Sequence, residues 1–266
     1  MKDMPIGIFD SGVGGLTVYR ALHDRLPNER FVYLGDTARV PYGTKSLEVL
    51  VVACNTASAL ALPQIRQRIG IDVVGVIGPG ARKAVEITKA EPQPKIGVIA
   101  TEATVASKAY IEAIRRASGS ARVLQAACPL FVPLAEENWI SEPETFAIAR
   151  KHLAPIIEFE PDALVLGCTH YPILRDVIRE TVGENVALID SGEAAAEETA
   201  SLLAERGIAS DEVFEGPRQL CDDLDHFYVT DAADRFARVA ERFLGSPPSR
   251  IEAVEVYGVD MLGVGG

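Results

Sequence analysis

Residues 49–58 read VLVVACNTAS, and residues 163–172 read ALVLGCTHYP. In each, a short apolar run without polar alternation ends on a cysteine, followed by a small polar pair, Asn55-Thr56 or Thr169-His170. A run of this length and composition is buried on both faces, as in a parallel sheet covered by helices on either side. Working outward, the same kind of run recurs as IGIF (6–9), FVYLG (31–35), VVGVI (73–77), IGVIA (96–100) and VALID (186–190). Between several of them lie helical spacings: Leu16/Tyr19/Leu22/Leu26, Tyr110/Ile111/Ile114, Ile173/Leu174/Val177/Ile178 and, near the end, Phe236/Val239/Ala240/Phe243. The pattern predicts an α/β fold with mostly parallel sheet.

EPQPK (91–95) is the clearest break in composition, and it stands just before a fresh strand. A second break falls at Gly207 to Asp211, where a helical stretch ends in glycine ahead of another short run, FYVT (227–230). These breaks divide the chain into a discontinuous first domain, 1–92 plus 210–266, and a second, 93–209. One connection is anomalous. After FVYLG and the Pro41-Tyr42-Gly43 loop, only Thr44 to Glu48 precede the next buried run. A parallel crossover needs a dozen or more residues, usually a helix. That helix is missing from the sequence.

The chain has 266 residues, 48% of them hydrophobic and 24% charged, enough for one large core or two smaller ones. Its formal net charge of -12 argues against nucleic acid as a partner, because that grip needs clustered Lys and Arg. An anionic substrate would have to be held by local donors rather than by the overall field. The opening MKDMPIGIFD has no signal-peptide pattern and no window is apolar enough to span a membrane, so a cytoplasmic location is expected. Cys54, Cys128, Cys168 and Cys221 are widely spaced without a CxxC pair, which reads as free thiols.

A lone free cysteine is read first as a small buried hydrophobe. Two cysteines in matching strand-Cys-polar contexts are harder to read that way, and they suggest two similar half-domains that each offer a thiol to a shared cleft. A thiol at the start of a helix gains thiolate character from the helix dipole. Cys128 and Cys221 lack this context. The stretch IGIFDSGVGGLT (6–17) places Asp10-Ser11 at a strand end before three glycines, a turn that permits close backbone approach. It fits neither GxGxxG nor the P-loop, which disfavours a nucleotide. Asp10 is either a solvated cap or a group that tunes a thiol. His170 is either a satisfied core imidazole or a proton-transfer partner. Cys54, Cys168 and His170 could also be three metal ligands, without the close paired spacing of a structural zinc site.

At these residues the chain resembles the glutamate racemases of the aspartate/glutamate racemase superfamily. The resemblance rests on FDSGVGGLTV (9–18), YLGDTARVPYG (33–43), VVACNTASA (51–59), GVIGPG (75–80), CPLFVPLAEE (128–137), LVLGCTHYPIL (164–174) and LIDSGEA (188–194), in family order. It implies two similar open α/β domains with the active site in the cleft between them, and inversion of the glutamate α-carbon with no cofactor and no metal. Cys54 and Cys168 would be the catalytic thiols, with Asp10, Asp36, Glu136 and His170 as the acidic and imidazole groups near them. Glu137 lies beside Glu136 and competes for its place. Asp10, Ser11, Pro41, Tyr42, Gly43, Asn55, Thr56, Thr169 and His170 would form the substrate site. The resemblance also implies D-glutamate supply for peptidoglycan, and it leaves room for a homodimer. Members have a crossover helix where this chain has none, and the tail after Gly245 finds no counterpart.

The residues suit that chemistry. An α-proton beside a carboxylate is a very weak acid, so its transfer needs a positioned base on one face and an acid on the other. Two thiols can fill both roles and exchange them for the mirror-image substrate. Ser11, Asn55, Thr56 and Thr169 could donate to the carboxylate as charge develops. The alternatives are an aspartate racemase or another two-cysteine isomerase, or an interaction protein that the shortened crossover has disabled for catalysis.

Overall fold

A computed structural model of the chain describes residues 4–35, 47–214, 216–230 and 233–254. In chain order, β1 (Ile6–Asp10), α1 (Leu16–Arg25), β2 (Phe31–Gly35), β3 (Val49–Val52), α2 (Asn55–Leu60), α3 (Leu62–Arg68), β4 (Asp72–Gly75) and α4 (Ile77–Ile87) come first. Next are β5 (Lys95–Ala100), α5 (Glu102–Ser107), α6 (Ala109–Ala117), β6 (Arg122–Ala127), α7 (Phe131–Glu136), α8 (Pro143–Phe159) and β7 (Ala163–Gly167). A short 3-10 turn (Tyr171–Leu174), α9 (Arg175–Val182), β8 (Ala187–Asp190), α10 (Ser191–Arg206), β9 (His226–Val229), α11 (Ala233–Leu244) and β10 (Ile251–Ala253) complete the chain.

The strands form two sheets, ordered β10-β9-β2-β1-β3-β4 and β6-β5-β7-β8, and every pair is parallel. The fold is therefore two parallel-sheet α/β units, as the apolar runs predict. Both sheets share one internal order, in which the second strand lies outside the first and the third and fourth follow on the other side. By that correspondence β1 matches β5 and β3 matches β7. The chain changes direction between the first and third strands, the place where open α/β sheets bind ligands beyond the strand ends. Cys54 and Cys168 stand just past β3 and β7, at equivalent points of the two sheets.

Burial follows the alternation of side chains. Ile6 and Ile8 of β1, Phe31 and Tyr33 of β2, and Val49 and Val51 of β3 point into one large core with α1 and α11, all within 1% of complete burial. The opposite face packs Phe9, Leu50 and Val52 with Ile65 of α3, and there Val32 and Leu34 of β2 are only partly buried. Helix α4 follows a strand of the first sheet but packs Ile77, Ala81 and Ala84 against Ile96, Val98 and Val165 of the second. Gly207 closes α10 at φ 65, a left-handed cap that suits glycine. The return segment is fixed by a buried charge cluster. Arg218 lies 2.6 Å from Asp222 and 2.8 Å from Asp225, while Asp225 also accepts from the Tyr19 hydroxyl and the Phe31 N–H.

Three details differ from the sequence reading. The run at 73–77 is strand only to Gly75, because Ile77 already opens α4. Strands β6 and β10 are additional; both are edge strands, which bury less and carry a weaker apolar signal. Cys168 is followed by a 3-10 turn rather than directly by an α-helix, so only Cys54 stands at the start of an α-helix. The short crossover stands: β2 and β3 flank β1 and are joined by 36–48, whereas the equivalent connection from β6 to β7 carries α7 and α8. Residues 36–46, and with them the site residues expected at Asp36, Pro41, Tyr42 and Gly43, lie outside the described residues, as does the tail from 255.

Candidate active site

Cys54 caps α2, its sulfur accepting from the Ala57 N–H at 3.4 Å. The Ser11 hydroxyl lies 3.2 Å from the same sulfur. Asp10 is 2% exposed, and its Oδ2 accepts from the Gly12 N–H at 2.9 Å. Its Oδ1 is buried without a hydrogen-bond partner, and burial pushes its pKa up against the pull of His170 and the turn N–H groups. Burial, then the Asp10 charge, pushes the Cys54 thiol up to about 11. A strong base is thus held protonated until something offsets its desolvation.

Cys168 has a different neighbourhood. His170 Nδ1 lies 3.9 Å from its sulfur, and His170 Nε2 lies 3.1 Å from Glu136 Oε1. Burial opposes charge on this imidazole, but hydrogen bonds to Cys168 and Glu136 outweigh it and push its pKa up to about 10. The bond to His170 holds the Glu136 carboxyl below its usual range. Held between Glu136 and the Cys168 sulfur, the His170 ring is thus placed to carry a positive charge beside that sulfur. Glu136, the last residue of α7, makes the contact rather than its neighbour Glu137, which caps the helix.

The two halves meet at these loops. The Thr17 hydroxyl on α1 donates 2.8 Å to the Thr169 carbonyl. Gly14 approaches so closely that a Cβ there would lie 2.3 Å from Thr169 Oγ1 and 2.4 Å from the His170 ring. Asn55 reaches Ser191 at 3.4 Å, its carbonyl accepts from Tyr110 at 2.6 Å, and Ser191 donates to the Leu166 carbonyl at 3.0 Å. Thr56 lies 3.0 Å from the Thr101 hydroxyl and 3.1 Å from that of Thr104.

Of the residues expected from sequence, Asp10 and Ser11 gather at Cys54, and His170 and Glu136 at Cys168. Asn55, Thr56 and Thr169 tie the halves together. Thr101, Thr104, Tyr110 and Ser191 were not among the expected residues. Thr101 and Ser191 directly follow β5 and β8, where the strand-end rule would have found them, whereas Tyr110 reads only as the apolar face of a helix. Among the described residues no group of three or more His, Cys, Asp or Glu could hold a metal ion, which leaves the metal reading of Cys54, Cys168 and His170 without a site there.

Two like-ordered parallel sheets thus each carry a thiol beyond the third strand. The chain belongs to the Asp/Glu/Hydantoin racemase family, whose model matches residues 33–199. It is 47% identical to a glutamate racemase of Geobacter metallireducens, over 90% of this chain and 92% of that protein. A glutamate racemase of Bacillus anthracis superposes with a TM-score of 0.85 at 34% identity, covering 96% of this chain and 99% of that one. A Francisella tularensis glutamate racemase, solved with D-glutamate, superposes at 0.81 with 34% identity, covering 96% and 98%. The chain is an amino-acid racemase of the glutamate racemase type. The Geobacter alignment is 263 positions long yet covers 90% of 266 residues, so on the order of 20 positions face no residue here. That shortfall is the size of a crossover helix with its loop.

Proposed function

We propose that the chain interconverts L- and D-glutamate by two-thiol proton transfer, with Cys54 and Cys168 on opposite faces of the α-carbon. The observation that carries this reading is the equivalent placement of the two thiols beyond β3 and β7, each beside its own polar partners. One thiol as thiolate removes the α-proton, the other as thiol delivers a proton to the opposite face, and the reverse reaction exchanges the roles. The active site lies between a first unit, 1–92 with 210–266, and a second, 93–209.

The Cys168 side is prepared by the His170 imidazolium and Glu136, and the Cys54 side by Ser11 and Asp10. Asp36, which lies outside the described residues, belongs to this machinery as the resemblance implies. Hydroxyls of Thr56, Thr101 and Thr104, with Ser11, Asn55, Thr169, Tyr42 and the backbone N–H groups of Tyr42 and Gly43 beside Pro41, supply donors for the substrate carboxylates, replacing water as charge develops. The product serves peptidoglycan synthesis in the cytoplasm, where free thiols persist. Among the described residues no helix is long and apolar enough to cross a membrane.

Chiral analysis of L-glutamate, D-glutamate and L-aspartate incubated with the purified chain tests the reading. Racemisation of glutamate in both directions, and slower turnover of aspartate, is expected. Preferred turnover of aspartate, or no turnover of either amino acid, would overturn it.

A further inference from the structure

Glu136 is gripped from the other half of the molecule. Its Oε1 is engaged by His170, while Arg235 on α11 donates to its Oε2 at 2.7 Å. Arg242, two turns further along the same helix, donates to the Glu136 backbone carbonyl at 2.6 Å. Phe243 sets its ring edge-on to the His170 ring at 5.7 Å, and Arg20 of α1 holds the Phe243 carbonyl. Both ends of Glu136 and one face of His170 therefore rest on a helix that follows β9 of the first sheet, whereas Cys168, His170 and Glu136 belong to segments of the second.

We propose that Arg235 is a positioning residue for the Cys168 side of the reaction, fixing the Glu136 carboxylate so that it holds His170 against the Cys168 sulfur only while α11 is seated. The inference rests on the two-thiol reading. The physical case is a competition between orientation and solvent. Glu136 retains 18% side-chain exposure, so a carboxylate bound only by His170 is free to swing outward into water. Arg235 removes that freedom by occupying the second oxygen with a charge-assisted bond. Once Glu136 leaves, the 9% exposed His170 keeps its desolvation cost and loses its counter-charge, which favours the neutral ring. A neutral ring no longer offsets a thiolate at Cys168. Because Arg235 and Glu136 sit on opposite units, the same contact links the seating of the two halves to the readiness of one thiol.

Arg235 is itself 64% exposed, so its replacement does not leave a hole in the core. The test compares Arg235→Met, Arg235→Lys, Glu136→Gln and the Arg235→Met/Glu136→Gln double variant in the full chain, with Arg238→Met as a charge control on the same helix. Two readouts are taken on variants whose thermal midpoints match the parent: kcat and KM on glutamate, and the rate at which iodoacetamide alkylates Cys168 without substrate. Arg235→Met is expected to lower both kcat and Cys168 alkylation about three- to tenfold, with KM changed less than about twofold. Arg235→Lys restores most of the loss, Arg235→Met adds nothing in the Glu136→Gln background, and Arg238→Met changes neither readout. Unchanged alkylation in Arg235→Met, or an equal loss with and without Glu136, would overturn the proposal. If the parent chain racemises neither enantiomer while the alkylation pattern holds, the function reading fails and the positioning role survives.

Discussion

Gly14 of the first half lies against His170 of the second, so that a Cβ added to the glycine would stand 2.4 Å from the imidazole. No Cβ tolerates that distance, and the neighbours are the His170 ring and the Thr169 hydroxyl rather than the tip of a flexible side chain. Glycine at this position lets the glycine-rich turn after β1 and the thiol loop after β7 close on each other. The turn thus serves the approach of two backbones.

Gly14→Ala is therefore expected to displace His170 and Thr169 and to lower kcat by about 100-fold, the scale of an ångström-sized misplacement. Its cost in stability is about 1–3 kcal/mol, that of overpacking a close contact. Gly70→Ala, where nothing lies within 4 Å, serves as the control and leaves activity unchanged. Steady-state kinetics and urea denaturation on the two variants check this directly.

The elevated pKa of His170 makes stability depend on pH in a definite direction. A histidine raised from 6.5 to about 10 on folding contributes stability that is complete below about 6.5 and is lost as pH rises towards 10. The stability difference between the parent and His170→Asn should accordingly shrink across that window when denaturation curves are recorded from pH 6 to pH 10. A difference that stays constant would show that folding leaves the imidazole pKa where it is in the unfolded chain.

Asp225 holds the return segment to the first sheet through Arg218, Tyr19 and the Phe31 N–H, and it is fully buried. Asp225→Ala leaves the Arg218 guanidinium, whose side chain is 3% exposed, with Asp222 as its remaining carboxylate, and takes the acceptor from the Tyr19 hydroxyl and the Phe31 N–H. A loss of about 3–5 kcal/mol is expected, since one partner of a buried pair is removed. At temperatures where the variant remains folded, kcat should stay within about twofold of the parent, because the cluster lies beneath α1 rather than at either thiol. Chemical denaturation paired with initial rates separates the two effects.

How much of this was legible in the sequence depended on burial. Central strands such as β1, β3 and β7 are covered on both faces and read as unbroken apolar runs. At the edge, Arg122–Ala127 includes Arg122 and Gln125 because one side of β6 needs no cover. The thiols were found because each ends a buried run. Asp10 and His170 stood open between a structural and a chemical reading until their neighbours were placed. No spacing rule could bring Arg235 to Glu136 or Tyr110 to Asn55, since these pairs join segments 99 and 55 residues apart across packed helices. The shortened crossover was visible because a parallel connection has a minimum length, a constraint of geometry rather than of composition.

Racemisation has an equilibrium constant of one, so kcat/KM must be equal in both directions for the parent and for every variant, and rates alone cannot separate one base from two. Isotope distribution can. In deuterium oxide, with either enantiomer as substrate, a proton removed on one face by Cys54 or Cys168 is replaced on the other face by solvent deuterium from the opposite thiol. At early times the product enantiomer should carry deuterium at the α-carbon while the remaining substrate keeps its hydrogen, and Cys54→Ala and Cys168→Ala should each abolish inversion. Deuterium entering substrate and product at equal initial rates, or undiminished racemisation in both alanine variants, would contradict the two-thiol account.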